Sequence, residues 1–195
     1  MKNISKSNAT ETGININAQG NVNAKETESS ESLPSQNSPK LSIQNLASLK
    51  QATLELFRKS KRLIQIHSFS LDKRILSNRE IELSITQLIR SSRKAKVQCL
   101  IYDEKELQGF DHRIVSLAQR FTSFIEIKII PNDYKNTISG FYLVDQQFML
   151  YRSNREKYEA IQFNQRQIEV KDKVKYFEDI WQQSRPASFL RSLHL

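Results

Sequence analysis

The pattern of apolar and polar positions changes character at Leu41. Before it, residues 1–40 carry scattered Ile and Leu among Asn, Ser, Thr, Glu and Gln, with no Phe, Tyr or Trp. From Leu41 onward, Ile43, Leu46, Leu49, Leu56 and Phe57 recur at helical spacing, with Ala47 and Ala52 beside them. Lys50, Glu55, Arg58 and Lys59 take the polar side. This predicts a first helix that closes on the basic cluster Lys59, Lys61, Arg62. The run 63-LIQIHSFS-70, with β-branched and aromatic members, reads as a strand. A loop over 71–78 leads to a second helix from about Arg79 to Ser92, with Ile81, Ile85, Leu88 and Ile89 on one face and Ser77 or Asn78 as its cap.

The alternation then repeats. Strand 97-VQCLIYD-103 precedes a helix near 111–121 and strand 125-IEIKII-130. The breakers 131-PNDYKN-136 lead into 141-FYLVDQQFMLYRSN-154, two apolar arms around Asp-Gln-Gln, which predicts a tight hairpin. A further strand over 158–163 and an amphipathic helix over 172–184, with Val174, Phe177, Ile180 and Trp181 on one side, complete the order. Strands separated by helices of this length indicate an α/β domain, a layered mixed β-sheet flanked by helices, to which the hairpin adds antiparallel strands. The expected organisation is a disordered tail over 1–40, too poor in apolar surface to offset its ordering entropy, and one domain over 41–195.

Charge sharpens this picture. The chain carries a net charge of +9, and the tail, with four Lys and four Glu, contributes none of it. The excess therefore lies on 41–195, where 26 basic residues face 17 acidic ones. Such a balance favours phosphate-bearing partners or anionic membrane surfaces, and a generally basic solvated surface is the plain alternative. The single cysteine, Cys99, excludes an internal disulfide and zinc sites built on paired cysteines. The three histidines share no ligand spacing, so no metal is expected, and nothing calls for a cofactor. With no secretory leader pattern and no apolar run of membrane-spanning length, a cytoplasmic location is expected.

The hairpin and the elements before it carry a resemblance. A helix, the strand 63–70, a loop and helix, the basic link 90-RSSRKAKVQCLIYD-103, a further helix and strand, and then the hairpin resemble one half of a phospholipase D-like domain, over residues 41 to about 184. That family carries H-x-K-x-x-x-x-D followed by a Gly-Ser pair across such a hairpin. With Asp145 on the motif's aspartate, the histidine position falls on Ile138, the lysine on Gly140 and the Gly-Ser pair on Arg152 and Ser153. Isoleucine has no lone pair with which to attack phosphorus, and glycine offers no cation to the developing charge. The resemblance implies a frame without the chemistry: a single-half, non-catalytic module akin to a group of motif-less bacterial domains. Some members of that group are fused to acetyltransferase-type domains, which implies a protein partner of that type, although the chain's four glycines form no acetyl-CoA-binding loop.

The residues singled out each carry two readings. His67 is a pocket residue beside the hairpin, or a hydrogen-bonded, half-buried structural histidine. Asp145 is a ligand-facing carboxylate or a turn residue bonded to nearby backbone. Arg152, replacing a glycine of the family's phosphate pocket, is a bidentate anion binder or a solvated charge at a strand end. Tyr134 and Lys135 offer a ring and a cation on the approach to the hairpin, and Ser153 stands with Arg152. Arg58, Lys61, Arg62, Arg93, Lys94 and Lys96 follow two helix ends and are expected to form a common basic edge, where cations also suit the helix dipoles. The expected function is therefore binding of a protein partner or an anionic ligand. The alternatives are a homodimeric phosphodiesterase or nuclease with a degenerate site, and non-specific nucleic-acid binding through the basic edge.

Overall fold

The computed structural model of the chain describes residues 40–190, apart from 104–106, 108–110, 135–137 and 165–166. The expected tail, Lys40 excepted, lies outside the described residues.

Eight strands form one sheet: β1 (Leu41–Ile43), β2 (Leu63–Ser68), β3 (Lys96–Ile101), β4 (Ile125–Ile129), β5 (Gly140–Val144), β6 (Phe148–Arg152), β7 (Ala160–Phe163) and β8 (Arg185–Pro186). The helices are α1 (Leu46–Arg58), α2 (Lys73–Leu76), α3 (Arg79–Ser91), α4 (Arg113–Arg120) and α5 (Ile168–Gln183). The strand order is β1-β7-β6-β5-β2-β3-β4-β8. Only β2, β3 and β4 run parallel to one another, and every other pairing is antiparallel.

The central strands are buried on both faces, as parallel strands covered by helices must be. Ile64, Ile66, Val97, Cys99 and Ile127 meet one core cluster, which Leu49 and Phe57 of α1, Ile81 and Ile85 of α3 and Ile114 and Leu117 of α4 complete. Residues of opposite parity, among them Leu100, Phe141, Leu143 and Met149, meet Val170, Phe177 and Ile180 of α5 on the other face. Both long N-terminal helices start at an asparagine cap: Asn45 Oδ1 accepts from Ser48 N at 2.9 Å and Asn78 Oδ1 from Ile81 N at 3.0 Å. Such a cap contributes about 1 kcal/mol.

Four details differ from the pattern reading. Leu41 and Ile43 belong to an edge strand paired with β7, not to the first helix, because Asn45 sets the helix start and Ile43 closes over Ala160. The 71–78 segment holds a one-turn helix capped by Asp72. The last helix begins at Ile168, one turn before the apolar stripe that signalled it. The chain then returns to pair with β4 through Arg185 and Pro186, two residues too few to show a period.

The hairpin turns where expected. Asp145 and Gln146 have φ of 50° and 57°, and Gln147 N donates to Val144 O at 3.0 Å. Two consecutive left-handed residues match the turn to the strands' own twist, and Asp is among the residues that tolerate that backbone. Among the described residues no helix is long and apolar enough to cross a membrane.

Candidate functional site

Parallel strands end at one edge of the sheet, and there the chain opens a cleft of about 510 Å³. Its lining comes from the end of β2 and the following loop (Ser68, Phe69, Asp72, Lys73, Arg74), from His112 at the start of α4, and from Arg152, Arg155 and Glu156 at and after the end of β6. Four cationic side chains thus face two carboxylates.

Arg152 is the deepest of the cations, 5% exposed. It stands on the same face of the sheet as Leu150, directly across from Gly140. Its Nη2 donates to the carbonyls of Arg155 (2.7 Å) and Lys157 (2.9 Å), which ties down the 153–157 turn. Its Nη1 lies 3.7 Å from Asp72 Oδ2. Nε, also buried, has no hydrogen-bond partner among the described residues. Arg152 is therefore not a solvated charge at a strand end: a buried guanidinium requires a counter-charge, and Asp72 supplies it. Asp72 also caps α2 by accepting from Arg74 N at 3.1 Å and pairs with Arg74 Nε at 3.2 Å.

Two more buried polar groups meet this cluster. Burial pushes the Tyr142 hydroxyl up to about 12, with Arg152 opposing. Burial lowers His112 to about 4 against the pull of the Leu71 carbonyl, and its Nδ1 accepts from Ile114 N at 3.2 Å. His112 is neutral at physiological pH. Above the floor, the Arg155 guanidinium lies 3.4 Å from the Phe69 ring centroid, and its backbone N–H donates to Ile138 O at 2.9 Å. Ile138 itself is 59% exposed.

The other residues expected to join Arg152 are elsewhere. His67 faces α5, fully buried rather than half-buried. It stacks on Phe141 at 4.6 Å, and Nε2 stands 3.3 Å from the Tyr102 hydroxyl. Burial, followed by the Lys173 charge, lowers its pKa to about 3. Tyr134 packs edge-on to Tyr176 of α5 and accepts from Gln183 Nε2 at 3.0 Å, also outside the cleft. Lys135 lies outside the described residues. Ser153 lines a separate cavity beside β1, with Ser42 and Tyr151. Asp145 sits at the opposite end of the hairpin. Its carboxylate accepts from Lys61 N (2.8 Å), Arg62 N (2.9 Å) and Leu63 N (2.9 Å), so the backbone it binds is remote in sequence rather than local.

Asp72 and His112 line the cleft but carry no signal of spacing. In the sequence Asp72 falls in the 71–78 loop, and His112 is one of three histidines that share no ligand spacing. The one sequence pointer to this cleft was Arg152, standing where the resemblance places a glycine of the phosphate pocket; its burial and its pairing with Asp72 appear only in the structure.

The basic residues do gather. Leu63 pairs with Lys96, and Lys96 N donates to Arg62 O at 2.8 Å, so the ends of α1 and α3 deliver their clusters to neighbouring strands. Arg58, Lys61, Arg62, Arg93, Lys94 and Lys96 are all exposed at this edge. The cleft lies at the other end of β2, about 20 Å away at the rise of a six-residue strand.

A family model described as a domain of unknown function, DUF7931, matches residues 45–193. The chain belongs to that family. No curated protein matches it. Among solved structures, this DUF7931 chain is similar to TrmBL2, an archaeal chromatin protein whose structure is described as showing a novel mode of DNA binding (TM-score 0.56, 13% identity, 80% of this chain and 57% of that one). It is also similar to Nuc, a phospholipase D family member from Salmonella typhimurium (TM-score 0.54, 13% identity, 76% of this chain and 99% of that one). A third is the phosphatidylserine synthase of Haemophilus influenzae Rd KW20 (TM-score 0.52, 12% identity, 80% and 41%). The DUF7931 chain has a phospholipase D-like fold. It spans little more than half the length of the chromatin protein and less than half of the synthase.

Proposed function

We propose that the chain is a non-catalytic phospholipase D-like module that holds an anionic ligand, a phosphate ester or a carboxylate, in the cleft at the end of β2. The observation that carries this reading is Arg152, a buried guanidinium beside the Tyr142 hydroxyl whose Nε meets no acceptor in hydrogen-bonding geometry among the described residues. It lies at the base of a cleft that Lys73, Arg74 and Arg155 also line. An orphaned buried N–H of a cation leaves a desolvation cost of a few kcal/mol that an anionic oxygen would relieve.

The resemblance and local sterics support a non-catalytic reading. Under the resemblance to phospholipase D-like domains, Ile138 and Gly140 take the positions of the nucleophile and the phosphate clamp. A Cβ on Gly140 would approach His67 O to 3.1 Å, so a lysine there would require the backbone to give way. His67 and His112 are both buried and neutral, and among the described residues no hydrogen bond or ring contact joins either of them to another histidine.

The test is titration of the full chain with inorganic phosphate and phenyl phosphate, followed by amide chemical shifts and melting temperature. Saturable shifts at Phe69, Arg155 and Glu156 are expected in the wild type, and a loss of at least tenfold in affinity in Arg155→Gln. Turnover of a bis-aryl phosphodiester should be absent with and without divalent metal. Saturable turnover abolished by His112→Gln would replace this reading with the enzymatic one, and an absence of shifts at millimolar phosphate would remove it.

A further inference from the structure

We infer that the edge formed by the N-terminal ends of β2 and β3 is a second binding surface, which takes the phosphate backbone of duplex nucleic acid through Lys61, Arg62, Arg93 and Lys94. Cations near helix C-termini ordinarily need no ligand, because they complement the dipole. That explanation covers Arg58 and Arg90, which sit in the last turns of α1 and α3. It covers these four less well, because they lie one to three residues beyond the C-caps Lys59 and Ser92, where the effect fades.

Local acids do not neutralise the four either. The Asp145 carboxylate lies at this edge but accepts from the backbone of Lys61, Arg62 and Leu63, and Glu80 pairs with Arg58 at 3.9 Å. Among the described residues no ion pair joins Lys61, Arg62, Arg93 or Lys94 to an acid. Four cations on adjacent segments repel one another, which opposes folding unless a polyanion offsets it.

The backbone beneath them is fixed. Asp145 pins 61–63, and the Lys96–Arg62 hydrogen bond joins the two segments. The 92–95 turn is closed by Ala95 N to Ser92 O at 3.0 Å, with Ala95 fully buried. Charges on a preorganised frame lose less entropy on binding than charges on a mobile tail.

The chemistry also favours duplex over its competitors. Leu41, Leu83, Ile138, Ile161 and Ile168, the exposed large hydrophobics among the described residues, all lie outside segments 58–62 and 92–96, so no apolar side chain is offered for insertion into a lipid surface. The aromatic rings near this edge, Phe121, Phe124 and Phe148, are half-buried and packed on the core, with the Arg120 guanidinium 5.3 Å from Phe121 and Lys59 Nζ 5.5 Å from Phe148, so they offer no open platform on which an unpaired base could stack. Cations without rings read the backbone alone, independent of base sequence.

The test is fluorescence anisotropy of the full chain with a mixed-sequence DNA duplex of about one helical turn or more, at several salt concentrations. Four phosphate contacts predict a log–log salt slope of about −3.6, a loss of affinity of about 150-fold between 50 and 200 mM salt. Replacing Lys61, Arg62, Arg93 and Lys94 together by Gln should bring the slope near zero. Lys50→Gln, Lys157→Gln, Lys171→Gln and Lys175→Gln together remove the same charge from other surfaces and should leave it unchanged. Arg62→Lys with Arg93→Lys should also retain it, because phosphate contacts need point charges. Should the fourfold variant melt early, Lys61→Gln/Arg62→Gln and Arg93→Gln/Lys94→Gln should each halve the slope. Arg155→Gln, which reports on the cleft, should not alter it, so failure of either site is read separately. Equal losses in cluster and control variants would overturn the inference. So would equal affinity for single strands, or binding to anionic lipid vesicles under conditions where the duplex does not bind.

Discussion

Replacing Asp145 separates what a carboxylate does from what its backbone conformation does. Its oxygens accept three backbone N–H groups at 2.8, 2.9 and 2.9 Å, fixing the tip of the β5–β6 hairpin to the start of β2. A hydrogen bond to a charged group contributes roughly 1.5–3 kcal/mol. Lys61 and Arg62 are exposed, so water can serve their N–H groups after the change, and only Leu63 N is part-buried. The three together should therefore stabilise by about 2–3 kcal/mol rather than by three full bonds. A second cost arises because φ is 50°: a side chain other than Asn or Asp pays about 1–2 kcal/mol there, and Gly pays nothing for it. Asp145→Asn should thus lose about 1–2 kcal/mol, Asp145→Gly about 2–3 and Asp145→Ala about 3–5. Urea unfolding followed by the fluorescence of Trp181, the chain's single tryptophan, measures these differences at constant m-value. For a domain of this size the alanine variant should melt roughly 6–20 °C lower. An alanine variant within about 0.5 kcal/mol of wild type, or a glycine variant as stable as wild type, would refute the anchoring role. Anion binding at the cleft should survive in Asp145→Asn.

Acid should destabilise the fold through two histidines. His67 and His112 have folded pKa values of about 3 and about 4, below the unfolded value near 6.5. The unfolded chain therefore binds more protons once pH falls under 6.5. Stability is fully present above that value and is lost on descent toward pH 4, by about 2 kcal/mol per unit with both histidines contributing. His67→Gln should roughly halve that slope in urea melts run between pH 6.5 and 5. Cys99 is fully buried and its thiol is pushed up to about 12, so a disulfide-exchange reagent should leave the native protein unmodified at pH 8 and react on unfolding. Rapid labelling at pH 8 without denaturant would contradict that environment. Replacing Asp72 by Asn should cost more than a helix cap alone, about 2–4 kcal/mol by thermal melt, because it leaves the buried Arg152 charge uncompensated. A Tm drop matching only a lost cap would show the pair to be incidental.

Local chemistry written along the chain determined the elements and their type. The 3.6-residue stripe of Ile81, Ile85, Leu88 and Ile89, the asparagine caps and the apolar runs at 63–68 and 96–101 act between near neighbours, so a linear reading recovers them. The hairpin turn at Asp145 is local in the same way, since only a few residue types accept a left-handed backbone. Convergence of the two basic clusters also followed from sequence, because helices that feed parallel strands must end at the same edge. Burial and long-range pairing were decided only by the tertiary structure. Asp145 spends its carboxylate on backbone more than eighty residues away. Arg152, an exposed-looking charge at a strand end, is covered by the loop it holds and balanced by Asp72. His67 and Arg152 belong to opposite faces of the sheet, which depends on strand register and on which helix covers which face. The two-residue strand β8 exists because β4 offers it an open edge. Each of these outcomes rests on hydrogen bonds and desolvation between segments that only the folded chain brings together, and such contacts leave no period along the sequence.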